Sequence, residues 1–242
     1  MSDPQQRLQR ALDALDEAFV PARDFVLDGC LYCYGEADVA ALAGPPEAVP
    51  DGLVTTPLSE VPSHWDKPEE LLRRMVPRIA RLLVRGETYL DEGLIGTRFV
   101  QADWTRWPPV ETAALRELWS AWWAATLDRY PAPMPAHDVL NIVTVVTGAL
   151  SPWLDVWEHA RTPSADRHLE ELVDLWCFED QLSELKLGFY DEYDATPELL
   201  PWVLGHGRTR IGPSFVARLD ALEQYSSYLN PPARRTGRVR RV

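Results

Sequence analysis

The sequence predicts an all-α protein of about nine or ten helices in stacked antiparallel pairs, as a compact bundle or a short solenoid-like array. Three observations predict it. Apolar residues recur at helical spacing from end to end, cap and breaker residues bound those stretches, and alternating strand patterns are almost absent. No repeat period is evident, which counts against the solenoid version. With 242 residues and 46% hydrophobic content, the chain is long enough to bury one continuous core, so a single helical domain over 1–230 is expected.

Asp3-Pro4 opens the first helix as cap and first helical residue, with Leu8, Leu12, Leu15 and Phe19 following at helical spacing and an end near Pro21. A short helix over Glu36 to Ala43 follows the Cys30-Leu31-Tyr32-Cys33 segment and stops at Gly44-Pro45-Pro46. Residues 44–65 read mostly as loop. Asp66 is the expected cap of the next helix, with Pro68, Glu69 and Glu70 in its first turn, Pro77 as a kink, and Arg85-Gly86 at its end. Its apolar face carries Leu71, Leu72, Met75, Ile79, Leu82 and Leu83, beside a stripe of Arg74, Arg78, Arg81 and Arg85.

A further helix holds Leu94, Ile95, Phe99 and Val100, and the longest runs from about Pro109 to Tyr130 before Pro131, Pro133 and Pro135 break the chain. Val139 to Val146 is rich in β-branched residues, but its length and neighbours favour a buried helix. Ser151-Pro152, Thr162-Pro163 and Thr196-Pro197 each read as a cap followed by a pre-set φ angle. A last helix spans Pro213 to Leu229, and Pro231-Pro232 releases a tail over 231–242 that is expected to be disordered.

Charge is unevenly spread. The tail holds Arg234, Arg235, Arg238, Arg240 and Arg241, so the rest of the chain sets 19 bases against 37 acids, a balance of −18. Between Asp155 and Glu198, thirteen acids face only Arg161, Arg167 and Lys186. Such a body repels nucleic acid and favours a basic protein partner. Nucleic-acid binding is expected only through the tail arginines. The most apolar run, Val139 to Leu150, ends at Ser151-Pro152, short of the roughly 20 residues a spanning helix needs, so no membrane partner is expected. A polar N-terminus without an apolar signal core, with three cysteines, an odd number, points to a reduced, cytoplasmic protein. Arginine so outnumbers lysine, at 22 to 2, that a GC-rich bacterial source is expected.

Among residues with chemical potential, Cys30-x-x-Cys33 stands before a helix, where thiolates and metal pairs are found. One pair supplies two ligands where structural zinc needs four, and Cys177 and His64 lie far off in sequence. A metal-free pair, dispensable for folding, is therefore the first expectation, zinc held by Cys30 and Cys33 with His64 or His168 the second, and redox chemistry the third. His168 and Glu171 are spaced to share a helical face, but a single His-x-x-Glu does not make a di-metal site, and a solvated or salt-bridged histidine is expected. His64, His137 and His206 fall at loops or helix starts without evident partners. The arginine stripe is read as internal counter-charge rather than a phosphate site.

Gly188 to Pro197 interleaves aromatics and acids, so Tyr190, Asp191, Glu192, Tyr193 and Asp194 are candidate contacts for a basic partner, against an ordinary ordered loop with Phe189 and Tyr190 tucked inward. Trp123 stands beside Trp122, roughly 100° round the helix, and is a candidate surface aromatic. No phosphate-binding glycine loop, nucleophile elbow or zincin helix motif is present, so no catalytic residue is assigned.

The order of Cys30-x-x-Cys33, Trp65-Asp66, Pro77-Arg78-Ile79 and the tryptophan-rich Trp119 to Trp123 resembles a family of uncharacterised bacterial cytosolic helical proteins over residues 25–180. The resemblance implies a helical fold and carries no activity, cofactor or site residue. The leading expectation is a non-enzymatic acidic interaction protein, an adaptor or an inhibitor or immunity-type binder of a basic partner. A zinc protein or enzyme using the cysteine pair is the alternative, and association with nucleic acid through the tail comes third.

Overall fold

Asp3 accepts the Gln5 amide hydrogen on its side chain and Pro4 supplies a pre-set φ, so α1 (Pro4–Ala18) starts where its cap requires. In the computed structural model, residues 3–21, 24–176 and 182–229 are described. The helices that follow are α2 (Glu36–Ala43), single-turn α3 (Asp51–Val54) and α4 (Thr56–Ser59), α5 (Pro68–Arg85), α6 (Glu92–Gln101) and α7 (Pro109–Asp128). Beyond them lie α8 (Ala136–Thr147), α9 (Ser151–His159), α10 (Pro163–Trp176), α11 (Thr196–His206) and α12 (Pro213–Leu229). Ten of these have eight residues or more, and the only strands among the described residues are β1 (Lys186–Leu187) and β2 (Tyr193–Asp194), one antiparallel pair. The protein is all-α, about 70% helical.

α7 is the central helix. α1, α8, α9 and α10 all pack on it, while α6 lies against α8, α9 against α11, and α10 against α12. The buried apolar side chains form one cluster from Leu8 to Leu219. Tryptophans dominate its middle: Trp123 meets Trp157 edge-on at 5.3 Å, Trp157 meets Trp202 at 5.5 Å, and Phe99 meets Trp119 at 5.3 Å. Three buried indole N–H groups take backbone carbonyls, Trp104 donating to Val146, Trp123 to Trp153 and Trp157 to Ala165, whereas those of Trp65, Trp119 and Trp202 meet no acceptor. Val139 to Val146 lies inside α8, where neighbours cover it on all sides and burial overrides β propensity. No described helix is long and apolar enough to cross a membrane.

Several local expectations are corrected. Residues 44–65 are not mostly loop but a string of short helical turns, 3-10 at Pro46–Ala48 and Pro62–His64 with α3 and α4 between them. Prolines seed these turns: Pro46 and Pro62 occupy the first positions of theirs and Pro57 the second position of α4. Asp66 does not cap α5; its carboxylate accepts the Asp28 amide hydrogen, and Lys67 is the residue at the cap position. Thr162 is the cap expected of it, accepting from the Ala165 amide, but Ser151 and Thr196 are themselves the first helical residues of α9 and α11. Their hydroxyls serve tertiary bonds instead, Ser151 to Glu198 and Thr196 to the Leu182 carbonyl. Pro77 lies within α5 and the helix runs on through it to Gly86, whose φ of 65° provides a left-handed stop. Cys177 and the arginine tail fall outside the described residues.

Candidate metal centre

Two segments more than thirty residues apart meet as a short antiparallel contact. Gly29 bridges Trp65, the Cys30 amide donates to the His64 carbonyl at 2.9 Å, and the Asp66 amide donates to the Asp28 carbonyl at 3.1 Å. Gly29 is required there by close approach: a β-carbon on it would stand 2.4 Å from the Trp65 ring. Beyond Cys30 the chain turns back, the amides of Cys33 and Tyr34 both donating to the Cys30 carbonyl at 3.0 Å, which brings the second cysteine round beside the first. Gly35 then starts α2, its amide held by the Asp38 carboxylate at 3.1 Å. On the other segment, His64 closes the Pro62–His64 turn and Glu60 follows the last residue of α4.

The result is a cluster. One donor atom each from Cys30, Cys33 and His64 lies within 4.8 Å of the other two. Cys33 Sγ is 3.7 Å from His64 Nδ1, and Glu60 Oε2 is 3.2 Å from the same nitrogen. A tetrahedral zinc ion, with sulfur at about 2.3 Å and nitrogen at about 2.0 Å, separates its sulfur and nitrogen ligands by roughly 3.5 Å. The observed spacing matches this edge. Cys33 is exposed and Cys30 half-exposed, so an ion has a direct way in.

Backbone N–H groups of Cys33 and Tyr32 directed at its sulfur hold the Cys30 thiol below its ordinary range. Its hydrogen bond with Cys30 pushes the Cys33 thiol up. Burial, and then a hydrogen bond to Glu60, raises the Tyr34 phenol strongly. The Tyr34 ring packs against Trp65 at 4.9 Å, the two planes tilted by 41°. Around the centre the side chains of Val26, Leu31, Tyr32 and Val61 stand exposed.

The other expected site residues are placed as follows. Trp123 is not a surface aromatic: it is fully buried, because α7 is covered on several sides rather than one. Of the two expectations for His168 the solvated one is overturned, since its side chain is buried with Nε2 2.8 Å from the Arg129 carbonyl, and the salt-bridged one agrees with Nδ1 at 3.6 Å from Glu171. Of the arginine stripe, Arg74 donates to the Ala43 and Gly44 carbonyls, Arg78 to the Pro46 and Val49 carbonyls and to Asp51, Arg81 to Asp16, and Arg85 to Glu87. These forks therefore hold the 43–51 segment and α1 against α5.

Between 155 and 198, most acids are likewise engaged within the chain. Asp166 pairs with Arg210, Asp174 with Arg218 and Asp194 with Lys186, while Glu170 accepts the Gly212 amide hydrogen. In the β1–β2 hairpin, Glu192 accepts from Thr97 and from the Tyr190 amide. Tyr193 points inward, donating to Glu198 and accepting from the Leu150 amide. Phe189 and Tyr190 are not tucked into the core; they stand exposed in an edge-on pair at 5.0 Å, next to Asp191 at the hairpin tip.

His64 was without partners as far as sequence could show, and the fold supplies them. The available signal was Glu60-x-x-x-His64, a one-turn spacing that puts a carboxylate beside an imidazole. No family model, curated protein or solved structure gives a significant match to the chain.

Proposed function

We propose that this is a metal-binding protein in which Cys30, Cys33 and His64 hold a divalent ion of the zinc type, tying the 28–35 segment to the 60–66 segment. The observation that carries this reading is the convergence of three soft and borderline donors, from two distant segments, at the spacing of a tetrahedral ion. With His64 in place, the cysteine pair becomes a set of three protein ligands, one short of a closed tetrahedral shell. A short backbone contact that Gly29 and Trp65 make between two irregular segments is the kind of junction a structural metal stabilises.

The test is metal content. Elemental analysis of protein purified without chelators should find close to one zinc per chain, and Cys33→Ser should lower it well below that. Protein that is metal-free and takes up neither zinc nor cobalt on titration would overturn the reading.

A second reading, an acidic interaction protein for a basic partner, is supported by one specific observation, the exposed Phe189–Tyr190 pair beside Asp191. Here Tyr190→Ala together with Asp191→Lys should abolish recovery of a partner that the wild-type protein retains from cell extract. Unchanged recovery contradicts it.

A further inference from the structure

We infer that the centre keeps its fourth coordination position open to solvent, and that this position takes a small uncharged nitrogen or oxygen ligand in exchange for water. The inference rests on the metal-binding reading and names what that site binds.

Among the described residues the donor set stops at three, Cys30, Cys33 and His64. Glu60 stands beside the set and not in it: its Oε2 is 3.2 Å from His64 Nδ1, yet its carboxylate lies more than 4.8 Å from at least one of the three donors. Tetrahedral zinc with three protein ligands leaves a position for water or a substrate, whereas closed structural sites use four. The three donors come from the two segments of one backbone contact, and three ligands of a tetrahedral ion lie on one side of it. The fourth bond therefore points away from that contact. The donors leave this side open, since Cys33 is exposed and Cys30 and His64 are half-buried.

Charge selects the ligand. Two thiolates cancel the charge of a divalent ion, so the loaded centre offers an anion no net attraction. Around it, residues 28–38 and 60–66 carry Asp28, Glu36, Asp38, Glu60 and Asp66 and no lysine or arginine. An anion at the fourth position meets repulsion, first from Glu60 beside His64, while a neutral lone pair meets none. Imidazole nitrogen suits zinc as a donor. Leu31 and Tyr32, between the cysteines, and Val61, next to Glu60, are exposed apolar surface against which the body of such a ligand can lie. The exchange moves no proton and no electron: the metal–water bond breaks, water leaves, and the lone pair of the incoming atom forms the new bond.

Cobalt(II) chloride titrated into metal-free full-length protein, followed by imidazole or sodium azide, tests this, because visible d–d bands report the ligands of cobalt. Wild-type protein should develop tetrahedral bands with sulfur-to-metal charge transfer, and imidazole should shift the d–d bands saturably while the charge-transfer band persists. Glu60→Gln should strengthen azide binding roughly fivefold, the gain from removing one like charge about 4 Å away in water, and leave imidazole binding unchanged. If imidazole leaves the bands unmoved, a fourth protein ligand closes the shell and the inference fails while the metal reading stands. Azide that binds wild type and Glu60→Gln equally well overturns the selection of an uncharged ligand. If wild-type protein develops no bands, both readings fail.

Discussion

At the scale of single residues, the structure separates side chains that sequence treats alike. Trp122 and Trp123 are adjacent, and a helix with one buried face would leave one of them near the surface; both are buried because α7 has helices on several sides. Trp123→Ala should therefore cost about 3–5 kcal/mol, the range for emptying a buried aromatic site, with the indole bond to the Trp153 carbonyl lost as well. Tyr190→Ala, on an exposed tip, should stay within about 0.5 kcal/mol. Urea unfolding of the two variants decides between them. Gly29 makes a different point. Its neighbours in sequence give no reason for a glycine, yet a β-carbon there would run into Trp65. Gly29→Ala should cost about 1–3 kcal/mol in the same measurement, as overpacking does. If Gly29→Ala proves neutral, the pairing of the two metal-binding segments is not as tight as described.

At the scale of elements, helices with strong end signals were readable in sequence to the residue. α2 and α12 occupy the ranges predicted for them, since glycine and proline bound both. The short turns between 44 and 65 were not readable, because four residues are too few to show a period and their prolines suit loops equally well. Asp66 failed as a cap for a tertiary reason, the competing Asp28 amide, which no local pattern announces. The same limit hid the centre. The Cys30-x-x-Cys33 spacing was visible, but the contact that delivers His64 depends on Gly29 and Trp65 meeting across the fold. Ser151 and Thr196 exchanged capping for tertiary bonds, and Glu198 shows what that yields: it accepts from the Ser151 hydroxyl, the Tyr193 hydroxyl and the Ser151 amide.

Those bonds hold the Glu198 carboxyl below its ordinary value of 4.5. A carboxyl depressed in the folded state adds stability above its unfolded value and loses it as pH falls through the folded one. Glu198→Gln should thus be less stable than wild type by about 1–2 kcal/mol at neutral pH. The gap should close as pH drops below the ordinary carboxylate value, read from urea midpoints at pH 7 and pH 3. A gap that is constant with pH would show that charge at Glu198 has no part in joining α9, β2 and α11.

At the scale of the whole molecule, the chain is one buried cluster of helices with a surface junction between two irregular segments, and the proposed ion belongs to that junction. An ion that binds only the folded state at a hundred times its dissociation constant adds about 2.7 kcal/mol. For a chain of this size that corresponds to a melting temperature roughly 5–10 °C higher with zinc than with chelator. In the region where acids are densest, Arg210, Arg218 and Lys186 pair with Asp166, Asp174 and Asp194, three of the thirteen acids, so most of the acidic balance that suggested a basic partner stays. The most direct measurement of the central claim is X-ray absorption at the zinc edge on zinc-loaded protein. Two sulfurs at about 2.3 Å and two nitrogen or oxygen ligands at about 2.0–2.2 Å are the predicted shell. A shell of oxygen and nitrogen alone, with no sulfur, would contradict it.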